Sequence, residues 1–155
     1  MAGTNESCAS VRTNLTDLFH SVPISASPEK VYAAFATQIG MQGWWTRDTS
    51  MESRVGGKAE FGFRHRATLF RMTIDEMTPN RTVRMSCLGD QSEWAGTTQE
   101  WSIEPTTEGS VLHFYHRGWR EMTPFCASCN SMWGRLMFRL KDFVETGTPS
   151  PQWTE

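Results

Sequence analysis

Cys126 and Cys129, three residues apart at the head of an apolar run, and His113 and His116, three apart in an alternating stretch, are where this sequence gathers reactive side chains. A thiol at a helix N-terminus can be acidified to a nucleophilic or redox-active thiolate. The same pair could join a zinc site if two further ligands were near, and His113 and His116 are the available ones. Neither reading is preferred. The pair follows no βαβ unit of the thioredoxin kind, and Cys129 lies on an apolar stripe where a packed cysteine is expected. His116 is the one candidate for polar chemistry: at a strand end on an apolar face it could bond a ligand oxygen or act as a general base near neutral pH. A structural hydrogen bond to a nearby loop is the competing expectation. Asp75 and Glu100 alternate against apolar neighbours and point outward, so no inward carboxylate pair for acid–base hydrolysis forms. With no glycine-rich phosphate loop or nucleophile elbow either, the expectation is no catalytic set, no metal and no cofactor.

These residues need elements to position them. Phe125, Cys129, Met132, Trp133, Leu136, Leu140, Phe143 and Val144 recur at helical spacing and predict one long helix with a continuous apolar stripe. Thr123-Pro124 supplies a hydroxyl cap and a proline at the first helical position, and Gly147 with Pro149 beyond it supplies the stop. Leu15 to Ile24 alternates as a first strand, with Leu18, His20, Val22 and Ile24 on one face. Ser27-Pro28-Glu29 opens a short helix to Thr37, and a second covers Ile39 to Trp45. Strands are expected at Met51 to Val55, Lys58 to Arg64, Thr68 to Met77, Thr82 to Leu88, Thr97 to Glu104 and Ser110 to Arg117, each pair separated by turn residues. Strands joined by short turns, with helices segregated, define an α+β fold: a curved antiparallel sheet of about six or seven strands around one long helix.

Composition narrows the function classes. The chain has 155 residues, enough for one domain, and a net charge of −2 that offers no general attraction for nucleic acid or anionic membranes. No apolar run reaches the roughly 20 residues of a membrane span. Residues 1–14 lack the pattern of a signal peptide and are expected to form a flexible leader, 15–147 the domain, and 148–155 a flexible tail. Four cysteines, at 8, 87, 126 and 129, make no secreted disulfide framework, and a cytoplasmic address is expected. Trp, Met and Phe are frequent, at 7, 9 and 9 residues, which suits a lined cavity and an ordinary core equally.

Alternation places Phe61 with Phe63, Phe70 with Met72 and Ile74, Val83 with Met85 and Cys87, Trp101 with Ile103, and Leu112 with Phe114 and His116 on inward faces. Set against Cys129, Met132, Trp133 and Leu136 of the helix, they form either a solid core or an aromatic chamber. Adjacent helical positions cannot both face inward, so of Trp44 and Trp45 one ring is expected in the core and the other at the pocket mouth or against a partner. Trp45 is the one placed inward. Trp119 and Trp153 are expected to be exposed, but two separate rings make no nucleic-acid platform.

Several of these residues, in order, carry a resemblance. Ile24-x-Ala26-x-Pro28-Glu29-x-Val31-Tyr32, Trp44-Trp45, Gly56-Gly57, Pro79 between two strands, Trp94-x-Gly96-Thr97, His116-x-Gly118-Trp119, and Cys129, Trp133 and Leu136 on a helix ending Glu145-Thr146-Gly147 span residues 15 to 149. The chain resembles the START-like (SRPBCC) superfamily with its helix-grip fold, in the branch similar to the C-terminal domain of the heat-shock-protein-90 ATPase activator. The resemblance implies a small hydrophobic or aromatic ligand in an internal cavity lined by Trp45, Phe61, Phe63, Phe70, Met72, Met85, Trp101, Phe114, His116, Cys129, Met132, Trp133 and Leu136. It leaves as alternatives a cyclase or dehydratase using His116, and a chaperone-binding module, as monomer or homodimer.

Overall fold

In a computed structural model, which describes residues 15–89 and 92–155, seven strands form one antiparallel sheet with three helices. The expected leader, residues 1–14, lies outside the described residues. Strand β1 (Thr16–Ile24) is followed by α1 (Pro28–Ala36) and α2 (Gln38–Trp44), then β2 (Thr49–Met51), β3 (Lys58–Phe63), β4 (Thr68–Thr78), β5 (Thr82–Cys87), β6 (Thr98–Thr106), β7 (Gly109–Trp119) and α3 (Pro124–Thr146). The spatial order β1-β7-β6-β5-β4-β3-β2 makes every neighbour after the first a hairpin. The long closure is β1 on β7, with Leu18 opposite His116 and Val22 opposite Leu112. This is the α+β helix-grip architecture.

Local chemistry sets the helix ends. Ser27 caps α1 by accepting from the Lys30 amide, Thr37 caps α2 through the Gly40 amide, and Thr123 caps α3 through the Cys126 amide. Gly147 ends α3 in the left-handed region, φ 73°, where a residue with a Cβ is disfavoured, and its amide bonds the Phe143 carbonyl. Helix α3 lies against β1, α1 and α2. Its buried seam is Cys126, Trp133, Leu136, Met137 and Leu140. The expected stripe is therefore rotated at its start: Phe125 is 42 % exposed and Cys126 takes the inward place. The Phe125 ring lies 6.2 Å from the Trp119 ring, centroid to centroid.

Two further expectations change. The strand expected at Met51 to Val55 ends at Met51, because Glu52 to Gly57 folds into successive turns, Arg54 bonding Glu52 and Gly57 bonding Arg54. Trp44 and Trp45 are both buried. The helical rule does not reach Trp45, which caps α2 at φ −97° and ψ −86° and so leaves helical geometry. The Trp44 indole donates to the Ala34 carbonyl at 2.9 Å, and Trp45 stacks on Phe61 at 4.2 Å. Residues 148–155, expected as a flexible tail, run back along the domain. The Ser150 amide bonds the Gly43 carbonyl, the Trp153 amide bonds Trp45, and the Arg47 amide bonds Trp153. Of the two rings expected to be exposed, Trp119 is buried, and Trp153 is half-buried with its ring edge-on to Phe63 at 4.9 Å.

Candidate functional site: an aromatic cleft under the last helix

The interior divides into a solid part and an open part. Trp101, Phe114 and Trp133 interlock, with centroids 4.1 Å apart for Trp101 and Phe114 and 4.4 Å for Phe114 and Trp133. Phe61, Met72, Met85, Trp101, Phe114 and His116 are fully buried in this packed half. They do not border open space, because rings of this size fill the concavity of the sheet. The other seven expected lining residues, Trp45, Phe63, Phe70, Cys129, Met132, Trp133 and Leu136, come together around a cleft of about 330 Å³ between the first half of α3 and the β3–β4 hairpin.

Sequence reasoning missed the rest of its wall: Arg64, Thr68, Trp94, Phe125, Ser128 and Trp153. Trp94 stacks on Phe70 at 3.8 Å and faces Trp133 at 5.8 Å, so it forms a continuous aromatic surface with two residues that were foreseen. Its place in a loop gave no periodicity to read. Arg64 and Thr68 flank a turn, and Trp153 enters from the tail.

His116 is fixed by a directional chain of hydrogen bonds. The Trp133 indole, which can only donate, gives its proton to Nδ1 at 3.2 Å. The ring proton must then sit on Nε2, which donates to the Thr97 hydroxyl at 2.7 Å, and that hydroxyl donates to the Trp94 carbonyl at 2.6 Å. Burial pushes the imidazole down to about 3. Neither nitrogen is left to meet a ligand or move a proton, so the structural role wins over the general-base role. The loop that carries the wall residue Trp94 is what His116 holds.

The two cysteine readings also lose their support. Burial pushes both the Cys126 and Cys129 thiols up, against the direction a redox thiolate needs. Cys129 instead receives the Trp94 indole proton at 3.5 Å. His113 lies on the opposite face of β7 from His116 and pairs with Glu104 at 3.1 Å. Among the described residues no three His, Cys, Asp or Glu side chains gather in a way that could hold a metal ion. Among them, too, no helix is long and apolar enough to cross a membrane.

Comparison with known proteins defines the class. Residues 25–145 match the family described as Activator of Hsp90 ATPase homolog 1-like protein, and the chain belongs to that family, a START-like helix-grip family. Among solved structures it is similar to the Aha1 dimer of Colwellia psychrerythraea, at 33% identity over 85% of this chain and 98% of that one, with a TM-score of 0.76. It also shares its fold with protein MLL2253 of Mesorhizobium loti, at 16% identity over 84% and 98% of the two chains and a TM-score of 0.73. CalU16 of Micromonospora echinospora has the same fold at 14% identity, over 86% of this chain and 78% of that one, with a TM-score of 0.69. No curated protein matches the sequence.

Proposed function

We propose that the chain is a cytoplasmic ligand-binding protein that holds a small hydrophobic or aromatic molecule, without transforming it, in the cleft under α3. The observation that carries this reading is the cleft wall itself: seven aromatic side chains, with Met132 and Leu136, around about 330 Å³ of open space. That volume lies at the small end of ligand sites, and an apolar wall with a few polar groups is their usual make-up. Against the acid–base alternative, both ring nitrogens of His116 are engaged, by Trp133 and by Thr97.

Titration with the neutral fluorophore N-phenyl-1-naphthylamine tests the reading. Ser128 lines the cleft and is exposed, and Ser128→Phe is designed to place a ring in the open space. Binding is expected to fall at least about tenfold, the effect of losing roughly 1.4 kcal/mol of contact. Equal binding by both proteins, or none by the natural one, rejects the reading.

A second reading, a partner-binding module, is favoured by the family itself and by the dimeric relative from Colwellia. Stimulation of an Hsp90-type ATPase by the purified chain would support it, and sedimentation would report whether the chain is a monomer or homodimer.

A further inference from the structure

Among the described residues, Arg64 is the one charged residue of the cleft wall, where it lies with Thr68 and Ser128. Its neighbours are neutralised: Arg66 grips Asp48 through two bonds of 2.9 and 3.1 Å, and Arg71 pairs with Glu60 at 3.2 Å. Glu155, whose main-chain oxygen accepts from the Arg64 amide, turns its carboxylate to His65 at 3.3 Å. The Arg64 guanidinium pairs with no carboxylate among the described residues.

The turn that presents it is held in an uncommon shape. Arg64, His65 and Arg66 have φ of 52°, 56° and 65°, three successive left-handed residues that carry a Cβ. Each costs about 1–2 kcal/mol, so surrounding contacts must impose the shape. The Asp48 carbonyl accepts from the Gly62 amide while its carboxylate holds Arg66, and a Cβ at Gly62 would collide with that carboxylate. The Ala67 amide closes the turn on the Arg64 carbonyl at 3.1 Å. A strained, multiply anchored turn thus sets Arg64 at the edge of an apolar cleft.

Given the ligand-binding reading, on which this rests, we infer that the cleft takes an anionic aromatic compound. Its planar apolar body lies among Phe70, Trp94 and Met132, and its carboxylate or sulfonate meets Arg64, with the Thr68 and Ser128 hydroxyls as further donors. Arg suits a planar oxyanion because its forked donors match two oxygens at once.

Two fluorophores that differ by one group decide the matter. N-phenyl-1-naphthylamine is neutral, and 8-anilino-1-naphthalenesulfonate is the same skeleton with a sulfonate. The natural protein is expected to bind the sulfonate about tenfold more tightly than its neutral twin, the size of one charge-assisted hydrogen bond. Raising the salt should narrow the gap. Arg64→Gln should erase the preference, while its circular dichroism and urea transition, matching those of the natural protein, show that the variant is folded. Arg64→Lys should keep part of it. If the neutral twin binds but the sulfonate binds no tighter, or if Arg64→Gln leaves the preference intact, the anionic class is overturned and the ligand reading stands. If neither twin binds, both fall.

Discussion

The Trp133 indole donates to Nδ1 of His116 at 3.2 Å, so a residue of the cleft wall sets the protonation of a histidine in the core. Folding therefore requires neutral imidazole, since a proton on Nδ1 would face another donor.

Stability should depend on this histidine between neutral pH and mild acid. Its folded value, about 3, lies below the unfolded value of about 6.5, so in that window the unfolded chain binds the extra proton. Stability is then full above pH 6.5 and is lost as pH falls toward 3. Urea unfolding at pH 7 and pH 5 should show an acid loss about 2 kcal/mol larger for the natural protein than for His116→Gln. Equal losses would mean that the imidazole is not held neutral. Trp133→Phe, which keeps a ring but leaves Nδ1 without its donor, should cost about 1–2 kcal/mol at pH 7.

Two glycines of α2 should respond differently to one added methyl. A Cβ at Gly40 would run into the Ala33 carbonyl, which is backbone, whereas a Cβ at Gly43 would meet the tip of the Phe143 ring. A ring can shift and a helix carbonyl cannot. Gly43→Ala should cost about 1–2 kcal/mol by overpacking, and Gly40→Ala about 3 kcal/mol or more. Thermal unfolding of the two variants checks the order.

The thiols should behave as packed groups. Burial raises Cys126 and Cys129, and lifts Cys87 to about 11. Carbamidomethylation followed by peptide mapping should show labelling of the half-buried Cys129 still climbing from pH 7 to pH 9, with the buried Cys126 and Cys87 unlabelled throughout. A plateau for Cys126 below pH 8 would instead reveal an acidified thiolate.

Removing the last eight residues, 148–155, should loosen the cleft. The cut takes away the Trp153 ring from Phe63 and the main-chain bonds to Gly43, Trp44 and Trp45. A loss of about 1–3 kcal/mol is expected, together with weaker naphthylamine binding. Trp153→Ala should reproduce the binding loss with a smaller effect on stability.

Elements governed by local chemistry were legible in the sequence. The cap at Thr123, the proline after it and the glycine stop at 147 located α3, and alternation separated the faces of the strands. What the sequence could not report was which of the inward rings leave space between them. Phe61 and Phe63 share a face of β3, yet Phe61 lies under Trp45 in the packed half and Phe63 borders the cleft. That difference depends on volumes summed across several elements. Trp94 and Arg64 stayed hidden because loops and left-handed turns carry no period, and the partners that fix them, Thr97 with His116 and Asp48 with Arg66, are distant or lie in loops.

Trp153 lies beyond residue 145, where the match to the family ends. One wall of the cleft is thus built by a segment outside the stretch that the family model matches. The chain's margin thus helps to shape the cleft, and a purification tag fused there would sit beside it rather than far from it.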